Sequence, residues 1–208
     1  MVFAALAVLA PLQATSIVAD YFPLKPGEEW TYEERSGTRG QVVVDAVGSP
    51  VLINDVESYP ISTSMNGGMA GQAFHRISGD SVLIVCFENI KRPLPSPYPI
   101  LKCDSTGNGD WQYAGTTDFL GAPASMTMKG TCRKGKEMDV LGTKRETLEV
   151  KLITTINPPE LPEASIRSES VSIYAKGVGL VSVKETSTVG KGRKEERTRT
   201  LIKYKSRG

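Results

Sequence analysis

"YFPLKPGEEWTYEE", Tyr21 to Glu34, is answered further along the chain by "YPILKCDSTGNGDWQYAG", Tyr98 to Gly115. Each copy has an aromatic residue close to a proline, then aliphatics, a lysine, a glycine-containing turn, an acidic residue and Trp-x-Tyr. Trp30 and Tyr32 thereby correspond to Trp111 and Tyr113. The echo continues: "QVVVDAVGSPVLINDVESYPISTS" and "AFHRISGDSVLIVCFE" in the first half are matched by "SMTMKGTCRKGKEMDVLGTKRETLEVKLITTI" and "VSIYAKGVGLVSVKE" in the second. A repeat on this scale decides the architecture before any single motif does. It predicts a first unit over residues 20–95 and a second over 96–208, the latter including a basic C-terminal strand.

The residues within each unit read as strand. Trp and Tyr two positions apart point to one face of an extended chain. "QVVVDAV", "ESYPISTS", "TLEVKLITTI" and "RTRTLIKYK" are short, rich in β-branched residues and separated by Gly, Pro, Asn and Asp. No stretch after residue 20 holds a 3.6-residue apolar period, although "PPELPEASIRSES" has room for one helical turn. The expected fold is all-β, with curved, half-barrel-like antiparallel sheets in two similar halves packed together. "IYAKGVGLVSVKE", Ile173 to Glu185, has the glycine spacing of a phosphate loop, but strand continues beyond it where a phosphate loop requires a helix. Gly177 and Gly179 are accordingly read as a hairpin corner.

A chain of 208 residues with 39% hydrophobic content can bury a core, and its net charge of +2 gives no global field for nucleic acid or an anionic membrane. The basic tail from Lys191 reads as a solvated edge strand whose charges blunt edge-to-edge pairing. At the other end, "MVFAALAVLAPLQATSIVAD" has an apolar run too short to span a bilayer, followed by small residues. It fits a secretory signal over residues 1–19, with cleavage after Ala14 or Ala19, though no basic residue precedes the apolar run. Without a cysteine near the cleavage zone or a later transmembrane segment, the expected product is soluble, in the periplasm or secreted.

The chain has three cysteines. Cys86, in "SVLIVCFE", reads as a small buried hydrophobe, and if any bridge forms, Cys103 and Cys132 are the pair. His75 is the sole histidine. It removes most nucleophile–base constellations and, with no acidic cluster close by, any expectation of zinc. Asp104, Asn108 and Asp110 carry oxygens that could ligate calcium, but they are also turn residues, and the turn is the preferred reading. Glu28, Glu29, Glu33 and Glu34 flank the first Trp-x-Tyr as a solvated strand edge would. No catalytic residue, metal or cofactor is expected.

At "YFPLKPGEEWTYEE", "INDVESYPIST", "GTKRETLEVKL" and "YAKGVGLVSVKE" the sequence resembles bacterial exported proteins of unknown function, the TapB-like and neighbouring uncharacterised families. The resemblance implies an exported, strongly curved antiparallel β fold and brings no catalytic residues. Lys176 departs from it, standing where that hairpin usually carries proline, as does the Cys103–Gly109 insertion before Trp111. The functional expectation is a non-catalytic binding or structural protein of the cell envelope, its partner an envelope protein or a hydrophobic small molecule. In the alternative role of a periplasmic carrier of a hydrophobic ligand or lipid, Trp30, Tyr32, Trp111 and Tyr113 would line the concave side of the sheet. An envelope hydrolase is the third reading.

Overall fold

The computed structural model describes residues 17–206, so most of the expected signal segment lies outside the described residues. The first half contributes β1 (Glu29–Ser36), β2 (Arg39–Val47), β3 (Val51–Ile53), β4 (Val56–Met65), β5 (Gly68–Ser78), β6 (Ser81–Phe87) and β7 (Tyr98–Lys102). The second contributes β8 (Gly109–Phe119), β9 (Ala122–Lys134), β10 (Met138–Val140), β11 (Thr143–Arg145), β12 (Thr147–Asn157), β13 (Ile166–Ala175), β14 (Gly179–Val189) and β15 (Glu195–Lys205). One short helix, α1 (Val18–Tyr21), precedes them, and the turn expected in the proline-rich stretch is a 3₁₀ turn at Pro162–Ala164. Among the described residues no helix is long and apolar enough to cross a membrane.

The sheet is antiparallel, curved and nearly closed, and its strand order carries the repeat. It runs β7-β6-β5-β4-β2-β1-β15-β14-β13-β12-β9-β8. Each half is therefore a six-strand meander, interrupted at the same place by a short hairpin, in which β3 pairs the start of β4 and β10 pairs β11; β7, although it lies within residues 96–208, completes the first meander by pairing β6. Their turns use left-handed backbone at Asn54–Asp55 and Leu141–Gly142, the geometry that suits a right-twisted two-residue hairpin. The halves meet through β1 and β15, which pair from Glu29↔Lys205 to Ser36↔Arg197. The C-terminal strand is thus interior to the sheet rather than a solvated edge, because both of its ladders are filled, by β1 and by β14.

Alternation assigns the inner face. On β1 the buried residues are Trp30, Tyr32 and Glu34, and on β9 they include Ala124, Met126, Met128 and Cys132. One apolar cluster joins the halves through Trp30, Tyr32, Val43, Val181 and Leu201. A second fills the other half with Trp111, Cys132, Leu148 and Val150, packed around Val18 and Tyr21 of α1. The "KGVG" corner receives this helix: the Gly177 N–H donates to the Asp20 carbonyl, while the Trp30 indole N–H donates to the Val178 carbonyl. Gly177 and Gly179 adopt φ of +71° and +102°, and a side chain on Gly179 would crowd the Trp30 ring. The hairpin reading of this stretch therefore holds, for the reason a phosphate loop fails, which is that β14 starts at Gly179.

Trp111 lies flat on Gly130, so closely that a Cβ there would fall within its indole ring. Trp111→Ala is expected to cost about 3–5 kcal/mol in urea unfolding, and Gly130→Ala about 1–3 kcal/mol by overpacking. In the Trp111→Ala background the Gly130→Ala cost should vanish, and simple additivity would contradict the contact. Val18 is fully buried. A chain starting at Asp20 should therefore be about 2 kcal/mol less stable than one starting at Thr15, a difference that thermal melts resolve.

Candidate functional site

The inner face does not fill completely. Between the halves lies a cavity of ≈ 220 Å³, walled by Phe22, Trp30, Tyr32, His75, Tyr174 and Leu180. Strands of both halves deliver its walls, with Asp45 from β2, Thr63 from β4, Tyr174 from β13 and Leu180 from β14 among them. β1 supplies Trp30 and Tyr32, β5 supplies Ala73 and His75 from alternate positions of one face, and the segment after α1 lays Phe22 and Pro23 across the space. The Phe22 ring sits 5.5 Å from His75 and 6.1 Å from Tyr174, centroid to centroid. The lining is thus mostly aromatic and aliphatic, with few polar groups.

Those polar groups fall into two kinds. Asp45 is committed: it accepts hydrogen bonds from the Thr63 hydroxyl at 2.7 Å and the Arg199 guanidinium at 3.2 Å. Burial raises its carboxyl above the ordinary range, opposed by those two partners. Arg199 also pairs with Glu34 at 2.8 Å and lies over the Tyr32 ring at 5.3 Å. Burial pushes the Glu34 carboxyl up, but hydrogen bonds from Arg199 and Gln41 outweigh it and leave the group below its usual value. Tyr32 donates its hydroxyl to the Leu180 carbonyl at 3.1 Å. His75 is the uncommitted group. It is 7% exposed, its Nδ1 lacks a well-formed hydrogen bond, and burial lowers its pKa to about 4, against a weak opposing pull from the Ala73 carbonyl. The ring is neutral at pH 7 and stands with Asp45 and Thr63 among the few polar residues of a mostly apolar wall.

The structure separates the four aromatic residues expected to act together. Trp30 and Tyr32 reach the cavity, whereas Trp111 belongs to the core around α1 and Tyr113 packs with Tyr98 at 5.7 Å and donates to the Ser96 carbonyl. Val18 and Tyr21 of α1 share the buried cluster of Trp111, whereas Trp30 borders the cavity. Glu28 and Glu34 are not a solvated edge; they are 1% and 3% exposed, and Tyr204 donates to Glu28 at 3.0 Å. His75, Phe22 and Tyr174 were not anticipated as wall residues. Period-two alternation in "AFHRIS" gives the face of His75, but not what lies opposite.

The remaining expectations find their places. Asp104 accepts from the Thr106 N–H, the Thr106 hydroxyl and the Asn108 N–H, so its carboxylate closes its own loop. Among the described residues no group of three or more His, Cys, Asp or Glu is arranged to hold a metal ion. Cys103 and Cys132 come together in one buried cluster as free thiols, while Cys86 lies in another.

No family model and no curated protein matches the chain. Solved structures do. A candidate lipoprotein from Parabacteroides distasonis ATCC 8503 aligns with 89% of this chain and 98% of its own, at 12% identity and a TM-score of 0.52. A candidate exported protein with a YmcC-like fold from Bacteroides fragilis NCTC 9343 aligns over 89% and 99%, at 13% identity and a TM-score of 0.51. The curved all-β architecture is therefore a fold that these proteins share.

A neutral buried His75 gives a signed pH dependence. Between its folded pKa of about 4 and the ordinary 6.5 the unfolded chain binds the extra proton, so stability falls as pH drops through this window and this contribution levels off below it. The loss should approach about 3 kcal/mol. Urea midpoints at pH 7 and pH 4.5 should differ more for the natural chain than for His75→Phe, and equal differences would place His75 outside the apolar wall.

Proposed function

We propose that this is an exported, non-catalytic envelope protein that binds a small, mostly apolar molecule in the cavity between its two halves. The observation that carries the reading is the cavity itself, a mostly aromatic space with the buried, neutral His75 in its wall. A neutral imidazole in the wall suits a ligand that brings a hydrogen-bonding group to it. Size narrows the class further. A space of ≈ 220 Å³ lies below the usual range for drug-sized ligands and takes a single ring or a short chain, not a whole lipid. The carrier role is accordingly read for a small ligand.

The export part rests on the leader-like N-terminal sequence, on the resemblance to TapB-like proteins, and on structural relatives described as a lipoprotein and an exported protein. The non-catalytic part rests on the commitments of the neighbouring side chains. Asp45, the acidic group lining the cavity, is held by Thr63 and Arg199 and is not free to exchange protons with His75.

Native mass spectrometry on gently extracted protein is expected to show an added mass of a small organic molecule that organic solvent removes. A small phenol, such as 4-ethylphenol, should raise the melting temperature in a concentration-dependent way. Ala73→Phe, which fills the cavity from its wall, should abolish both effects while the chain still folds. A bare mass together with no shift from the phenol would sink the small-ligand reading and leave a structural or protein-binding role.

A further inference from the structure

The nearly closed sheet has one incomplete seam. β7 and β8 are the two ends of the strand order and share no ladder, although a short loop joins them. Side chains hold this edge: Tyr98 of β7 packs with Met126 and Met128 of β9, and against Tyr113 of β8. At one end of the seam stands Cys103, directly after β7, and Cys132 on β9 faces the same buried cluster.

Gly109 fixes how close the two cysteines lie. It is paired directly with Cys132 across the β8–β9 ladder. On its other side, a Cβ built on Gly109 would come within 3.1 Å of the Cys103 Cα, and it would also strike the Lys102 carbonyl. Only a residue without a side chain admits this approach, so Cys103 and Cys132 flank one glycine. The Cys132 thiol donates to the Gly107 carbonyl at 3.6 Å, and the two cysteines are near enough to perturb each other's pKa, Cys103 downward and Cys132 upward. Cys86 cannot substitute, because it packs with Ile53, Phe74 and Val85 and its thiol points at the Asn89 carbonyl, 3.0 Å away.

We propose that Cys103 and Cys132 form a disulfide that ties the end of β7 to β9 beside the edge where β7 and β8 share no ladder. The oxidant is a disulfide of low molecular weight or of a thiol oxidoreductase, met before the core closes over the thiols. The Cys103 thiolate attacks one sulfur of that disulfide and releases the other as a thiol. Cys132 then loses its proton and attacks the mixed disulfide at the Cys103 sulfur, releasing the second thiol. Two cysteine thiols are oxidised and one disulfide is reduced to two thiols, so hydrogen and electrons balance. The bridge adds a covalent tie at an edge that lacks a ladder, and it closes a loop of roughly 30 residues that the unfolded chain would otherwise leave free. In the cell it rests on the export reading, since a reducing compartment would keep the pair open; in the test tube it does not.

The test is oxidative refolding of the full chain from denaturant in a glutathione redox buffer, followed by alkylation and peptide mapping. The expected product has lost two hydrogens, joins the Cys103 and Cys132 peptides, and carries the alkyl group on Cys86 alone. It should melt on the order of 10 °C above the reduced protein. Cys86→Ala, which leaves the pair intact, should give the same bridge and the same shift. Three alkylated cysteines, stable glutathione adducts on Cys103 or Cys132, or a bridge through Cys86 would each overturn the proposal. A bridge that forms in vitro, in a protein whose thiols are reduced in the cell, would uphold the pairing and refute export.

Discussion

The pairing of β1 with β15 is the interaction on which the rest depends. It turns two meanders into one sheet, and it does so with residues at opposite ends of the chain, Glu29 opposite Lys205 and Trp30 opposite Tyr204. Backbone hydrogen bonds alone would leave this joint replaceable by any other edge strand. Side chains make it specific. The Arg199 guanidinium reaches across from β15 to Glu34 on β1 and Asp45 on β2, and Tyr204 reaches Glu28. Removing Arg199 would strand two carboxylates in a poorly solvated place, whereas a mispaired strand would fail to neutralise them. The same joint sets the spacing of the walls on either side of the cavity, because Trp30 and Tyr32 stand on β1 and donate to the β13–β14 corner and to β14.

A repeated chain need not be a symmetric molecule, and here the departure from symmetry creates the candidate site. Trp30 and Trp111 occupy corresponding strands and both are buried. Trp111 rests on Gly130 and shares a buried cluster with Val18 and Tyr21; Trp30 borders the cavity that Phe22 also lines.

The parts of this arrangement legible in the sequence are those set by local alternation and turn chemistry. Trp-x-Tyr gave the shared face, the Asn, Asp and Gly steps gave the hairpins, and the doubled element gave the two halves. Pairings between distant residues left no local trace. Glu34 looks like any exposed strand carboxylate until Arg199, 165 positions away, is brought beside it. The basic tail reads as an edge because charge is the usual mark of an edge, yet here Arg197 and Arg199 are spent on carboxylates of the neighbouring strands. The cavity is the least legible feature, since its emptiness is a property of Phe22, Ala73 and Tyr174 jointly and of none singly.

The position of β15 between β1 and β14 also constrains when the molecule can come into being. During vectorial synthesis or threading through a pore, the early strands emerge with β1 unable to find its outer neighbour, and the later ones follow with β14 in the same condition. Until the latest strand arrives, two long unpaired borders are open to any passing chain, and the contacts that close them span nearly the whole polypeptide. Such a topology favours a delay in which the chain is kept extended and shielded, then released at once, a sequence of events better served by a holding chaperone than by folding as the chain emerges.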